Sequence, residues 1–142
     1  MTQVFDQFLI PGSSYNRLVA EYDKYSALHV GYDFDSTVYD YHQTGESHEM
    51  VRQLLRDLMA IGCKCYCWTA QRDHDFVKEF LAENNIPCEG INTGGINLGW
   101  ESRKPFYSAL LDDRAGLQQT YSELRMLANF ALANLGSETA IY

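Results

Sequence analysis

Basic residues are scarce in this chain of 142: 11 Lys and Arg stand against 19 Asp and Glu, a formal net charge of −8 at pH 7. That deficit disfavours a protein that tracks along a nucleic-acid polymer, because such binding draws its affinity from many cationic contacts to phosphates. A strand end or a single nucleotide stays open as a substrate, since a bound metal ion can supply positive charge locally. No apolar run approaches the length that crosses a bilayer, so no membrane partner is expected. The first ten residues carry Asp6 and lack a basic stretch followed by a long apolar one. A secretory leader is therefore not expected, and the cytoplasm is the expected compartment. The four cysteines, Cys63, Cys65, Cys67 and Cys88, contain no Cys-x-x-Cys pair, and no two of the four histidines stand at i, i+4. That spacing argues against a zinc site, and reduced cysteines acting as small apolar side chains are expected instead. Repeats, low-complexity tracts and long linkers are missing too, which predicts one domain over 1–142.

What is present is an alternation of strand-like and helix-like segments. Leu18, Val19 and Tyr22 share one face of a predicted helix over 13–25, the core of an N-terminal helical extension, 1–26. A short apolar strand follows at 28–34, then a polar loop over 36–47. Val51, Leu54, Leu55 and Leu58 mark an amphipathic helix after Ser47, and Gly62 is placed to stop it. A second strand is expected at 63–68, and a second amphipathic helix from Asp73 or Asp75 through Leu81, with Pro87 just beyond. Residues 88–91 read as a third strand, 93–99 as a Gly-rich loop, 106–111 as a fourth strand and 117–132 as a last helix. The tail, 139–142, reads as a possible edge strand. This order predicts a doubly wound parallel α/β sheet, strand order 3-2-1-4, in a three-layer αβα sandwich. In such sheets ligands sit beyond the carboxyl ends of the strands, where strand order reverses.

Three of those strand ends carry reactive side chains. The first ends in Asp33 and Asp35, with Thr37 after them, the second in Thr69, and the fourth in Asp112 and Asp113, with Lys104 upstream. Crowded carboxylates resist ionising unless a cation joins them, and oxygen donors of this kind suit magnesium. A hydroxyl and a lysine opposite them suit phosphoryl oxygens, and an aspartate nucleophile divides hydrolysis into two easier steps.

The sequence DFDST (33–37) after an apolar strand resembles the first motif of the haloacid dehalogenase superfamily phosphatases. Trp68-Thr69 after CKCYC resembles their second motif, Lys104 their third, and LLDDR (110–114) their fourth, all in family order over about 28–116. The resemblance implies a magnesium-dependent phosphatase in which Asp33 attacks phosphorus and Asp35 is the general acid and base. It implies metal ligation by Asp33, the Asp35 backbone carbonyl, Asp112 and Asp113, and phosphoryl binding by Thr69 and Lys104. Thr37 is expected to order the loop after the first strand.

Lys104 departs from the family pattern. Only seven residues separate it from Asp112, leaving no room for the usual helix, and Pro105 biases it away from helical geometry. Arg72 is the stronger fallback for its role, ahead of Lys64. The intervals after the first and second motifs are too short for a cap domain, so an open site is expected. Around its mouth the sequence places Tyr39, Tyr41 and His42, Arg72, and the stretch 92–97 as candidate substrate contacts. The tyrosines either stack on a base or pack the loop onto the sheet. The expected substrate is a small phosphorylated metabolite such as a nucleotide; the alternatives are a nucleic-acid-end phosphatase and a non-catalytic binding module on the same core.

Overall fold

The computed structural model describes residues 6–140, with side chains through residue 135. After a 3-10 turn at Gln7–Leu9 come helix α1 (Ser13–Tyr25), strand β1 (His29–Tyr32), α2 (Glu49–Ala60), β2 (Lys64–Cys67), α3 (His74–Glu83), β3 (Ala109–Leu111) and α4 (Leu117–Ala140). All pairings are parallel, and β1 is central, in the order β2-β1-β3.

Local chemistry explains the boundaries. Gly12 at φ 88° leads into α1. Ser47 accepts the Glu49 N–H at the start of α2, and Gly62 leaves that helix at φ 94°, a conformation costly for a residue with a Cβ. Of the two candidate caps for α3 it is Asp73 that acts, its side chain accepting the Phe76 N–H at 3.0 Å.

Alternation along the strands sorts the sheet into two faces. Val30 and Tyr32 of β1 align with Cys65 and Cys67 of β2 and with Ala109 and Leu111 of β3. This face meets all four helices, through Leu18 of α1, Leu54, Leu55 and Leu58 of α2, Val77 and Leu81 of α3, and Leu124, Leu127 and Ala128 of α4. Burial holds the Cys65 and Cys67 thiols well above the ordinary range, so they serve as apolar packing. His29, Gly31, Tyr66 and Leu110 line the other face, where Tyr107 stacks on Tyr66 with ring centroids 5.6 Å apart.

The architecture corrects the expected one in four ways. Three strands form instead of four, in the order β2-β1-β3 in place of the expected 3-2-1-4. Residues 88–91 pair with β2 through a bridge of Ile91 to Cys67 and a few backbone bonds, because Pro87 has no N–H before the segment and Asn92 turns away at φ 56° after it. The last strand starts at Ala109, not at 106, since the Phe106 carbonyl faces the preceding loop and accepts the Ile96 N–H at 2.7 Å. Among the described residues no helix forms a third layer. Beyond α3, the crossing to β3 holds Gly94, Gly95, Gly99 and Pro105, which break helices, and this part covers the second face as irregular chain. At the carboxyl end α4 runs to Ala140 where an edge strand was expected, and residues 141–142 lie outside the described part.

Candidate active site

Asp33 follows β1 directly, and its N–H donates to the Leu111 carbonyl of β3 at 2.8 Å, prolonging the ladder by one bond. Asp112 and Asp113 follow β3, so the two acidic ends emerge side by side. One carboxylate oxygen from each of Asp33, Asp112 and Asp113 lies within 4.8 Å of the others. Burial, a hydrogen bond to the Asp113 carboxyl and the charge of Asp112 push the Asp33 pKa up to about 7, while the Phe34 N–H donates to the carboxylate and pulls the other way.

Asp35 stands two residues on, where the chain turns back so that the N–H groups of Thr37, Val38 and Tyr39 all point at the Phe34 carbonyl. Burial and the charge of Asp113 raise its pKa, and His42 opposes them. Its Oδ1 is buried with no hydrogen-bond partner. Thr37, fully buried, ties the two acidic ends together: its Oγ1 accepts the Asp113 N–H at 3.3 Å and donates to Asp113 Oδ1 at 3.5 Å. Asp112 Oδ1 accepts the Arg114 N–H at 2.9 Å, which fixes the turn after β3.

From β2, Trp68 donates its N–H to the Tyr32 carbonyl and carries the chain to Thr69. Thr69 is almost fully buried, and its Oγ1 accepts the Gln71 N–H at 3.0 Å. Asn92, which the sequence places only generally near the mouth, grips the Thr69 backbone with its side-chain amide. The one sequence signal for this is an asparagine immediately beyond a short strand, where such side chains bond to nearby backbone.

The remaining candidates are placed less centrally. Tyr39 stacks on Phe34 and meets Phe76 and Phe80 edge-on, so it packs the loop onto α3. Tyr41 is 54% exposed and holds the His42 ring edge-on at 5.0 Å. Arg72 is exposed on the loop before α3. Lys104 is exposed on the crossing segment, where its N–H donates to Ser102 Oγ, and it borders a hollow with Gly94, Trp100 and Phe106. The charges that act most on Asp33 are those of Asp112 and Asp113, and among the described residues neither Lys104 nor Arg72 forms an ion pair with a carboxylate. The acidic residues thus meet, and Lys104 and Arg72 are not drawn against them.

The donor set fits a hard divalent cation. It consists of oxygen alone and brings together three carboxylates, where burial and neighbouring acidic groups raise the pKa of Asp33. Asp33, Asp112 and Asp113 are the residues that could hold it.

No family model matches the chain, and no curated protein matches it in sequence. Among solved structures, a conserved protein coded by a locus from Bacteroides thetaiotaomicron is similar at a TM-score of 0.57 and 20% identity, over 70% of this chain and 91% of that one. That likeness establishes a shared fold. The chain is an α/β protein with a small parallel sheet, compatible with the Rossmann-like class, and among the described residues no helix is long and apolar enough to cross a membrane.

Proposed function

We propose that the chain is a magnesium-dependent phosphohydrolase of the haloacid dehalogenase type, acting on a small phosphate monoester. The observation that carries this reading is the meeting of Asp33, Asp112 and Asp113 at two adjacent strand ends, nearly eighty residues apart in sequence. Such repulsive crowding costs stability unless it serves a cation, and active sites are where strongly perturbed carboxyls collect. When bound, magnesium would draw the substrate phosphate to the site and neutralise charge on its equatorial oxygens.

The chain's own residues supply the rest. The Asp33 carboxylate attacks phosphorus, forming an O–P bond as the ester P–O bond breaks, and becomes an aspartyl-phosphate. Asp35, whose burial favours the protonated carboxyl, gives its proton to the leaving oxygen and then takes one from the water that splits the intermediate. Thr69 donates a hydrogen bond from its hydroxyl to a phosphoryl oxygen. Lys104, or in its place Arg72, is assigned the remaining charge neutralisation, and replacing each with Met separates the two. The net charge of −8 favours a small substrate over a nucleic-acid polymer.

The test is hydrolysis of p-nitrophenyl phosphate by the full chain with and without magnesium. Turnover is expected to require the metal and to fall at least about 10³-fold in Asp33→Asn, the scale of loss for a nucleophile. Activity that survives in Asp33→Asn, or inertness across sugar phosphates, nucleoside monophosphates and 3′-phosphorylated oligonucleotides, refutes the proposal.

A further inference from the structure

Asn92 holds a left-handed backbone conformation, φ 56°, which asparagine tolerates better than most residues with a side chain. Both ends of its amide are engaged by one residue. Oδ1 accepts the Thr69 N–H at 2.7 Å, and Nδ2 donates to the Thr69 carbonyl at 2.8 Å. Its own N–H donates to the Cys67 carbonyl at 2.8 Å, the last residue of β2. The amide therefore stands in for a neighbouring strand where the ladder has ended, offering Thr69 one acceptor and one donor at peptide spacing.

The Thr69 hydroxyl is set in turn. Its oxygen accepts the Gln71 N–H, and a hydroxyl that has accepted one bond still has a proton to give. Among the described residues no acceptor takes that proton. A backbone gripped at both its N–H and its carbonyl fixes where the Cα–Cβ bond points, and the Gln71 N–H then holds the hydroxyl oxygen from which the proton is offered.

We infer that Asn92 is a positioning residue for the phosphoryl site: it aims the Thr69 hydroxyl at phosphate without touching phosphate itself. The inference rests on the phosphohydrolase reading and goes beyond it, by naming a residue that sets phosphate affinity from behind the site. Because Asn92 also opens the crossing segment that carries Lys104, it fixes the starting point of that segment relative to Thr69.

The experiment is a double-mutant cycle on the full chain with magnesium, reading kcat/KM for p-nitrophenyl phosphate and the inhibition constant for inorganic phosphate. Asn92→Gly strips both side-chain bonds yet keeps the left-handed conformation at no steric cost, which Ala would not. Thr69→Val removes the hydroxyl at nearly constant shape. Asn92→Gly is expected to lower kcat/KM and weaken phosphate inhibition by about 10–100-fold, the range for partners that orient a first-contact group. In the Thr69→Val background the same change is expected to do little more. Asn92→Asp, which keeps size and acceptor but sets a carboxylate oxygen against the Thr69 carbonyl, is expected to lose as much, and covers the case in which the glycine variant folds poorly. Losses that multiply fully in the double variant overturn the inference, as does a lowered thermal midpoint with unchanged kcat/KM and phosphate inhibition. Turnover that Asp33→Asn abolishes and Asn92→Gly leaves intact overturns the inference alone, whereas a wild-type chain without magnesium-dependent turnover overturns the phosphohydrolase reading with it.

Discussion

On one face of the sheet, Val30, Tyr32, Cys65, Cys67 and Leu111 disappear beneath four helices; on the other, one irregular segment lies across Gly31 and Tyr66. The helical face is made of apolar side chains at helical and strand periods, gathered into one buried cluster. The second face is made of close approaches. A Cβ added to Gly31 would enter the Tyr107 ring, and one added to Gly94 would enter the Tyr66 ring. Polar groups are spent there too: His29 Nδ1 meets the Tyr66 hydroxyl at 3.0 Å. The first face supplies stability, while the second lets the chain run without a helix from Thr69's neighbour Asn92 to the acidic end of β3. Asp33, Asp112 and Asp113 stand at the rim where the two coverings meet.

The sharpest way to break this contrast is to cut a hole on each side. Leu55 is fully buried, and its carbonyl receives the Cys65 thiol at 3.8 Å. Leu55→Ala is expected to cost about 2–5 kcal/mol in denaturant unfolding, for the lost burial and the cavity left behind. Gly31→Ala tests the opposite fault, overfilling. The added methyl must displace the Tyr107 ring, so a loss of about 1–3 kcal/mol is expected, with Tyr107 fluorescence shifted and the helical signal in circular dichroism unchanged. A neutral Gly31→Ala would mean that the segment over this face yields freely, and the distinction between the coverings would collapse.

The same contrast explains which parts were legible in the sequence. Helices α1 to α4 follow from periodicity, because on the helical face burial and repeat coincide at Leu18, Leu54, Leu58, Leu81 and Leu124, whereas the central place of β1 rests on the doubly wound order that brings the acidic strand ends together. The adjacency of Asp33 to Asp112 and Asp113 follows from which strands flank β1. Non-local geometry is what a linear pattern does not carry. Residues 88–91 have the composition of a strand but pair only briefly, and 92–105 has no periodic signal, so neither the missing helix layer nor the Asn92–Thr69 grip can be read from spacing. Tyr39 shows a different limit: its residue type fits a substrate platform and a packing side chain equally, and contacts with Phe34, Phe76 and Phe80 decide for packing.

The smallest expected effect sharpens the comparison through pH. His29 lies on the segment-covered face, stacked on Tyr66. Burial first, then the charge of Lys64 beside it on β2, lowers its pKa, and Glu21 from α1 acts against them. With the folded pKa below 6.5, the unfolded chain binds more protons as pH falls from about 6.5 through the folded value, so stability must fall across that window. Above it His29 is neutral in both states and its contribution is fully present. The helical face offers no counterpart, since the burial that raises Tyr32, Cys65 and Cys67 keeps all three neutral throughout. Thermal midpoints recorded between pH 7.5 and 5.5 are expected to decline less steeply in His29→Asn than in the unaltered chain, measured with Asp33→Asn in both backgrounds so that the acidic rim contributes equally. Parallel slopes would show that His29 stays solvated, and that the segment above it excludes water far less than the helices do on the other side.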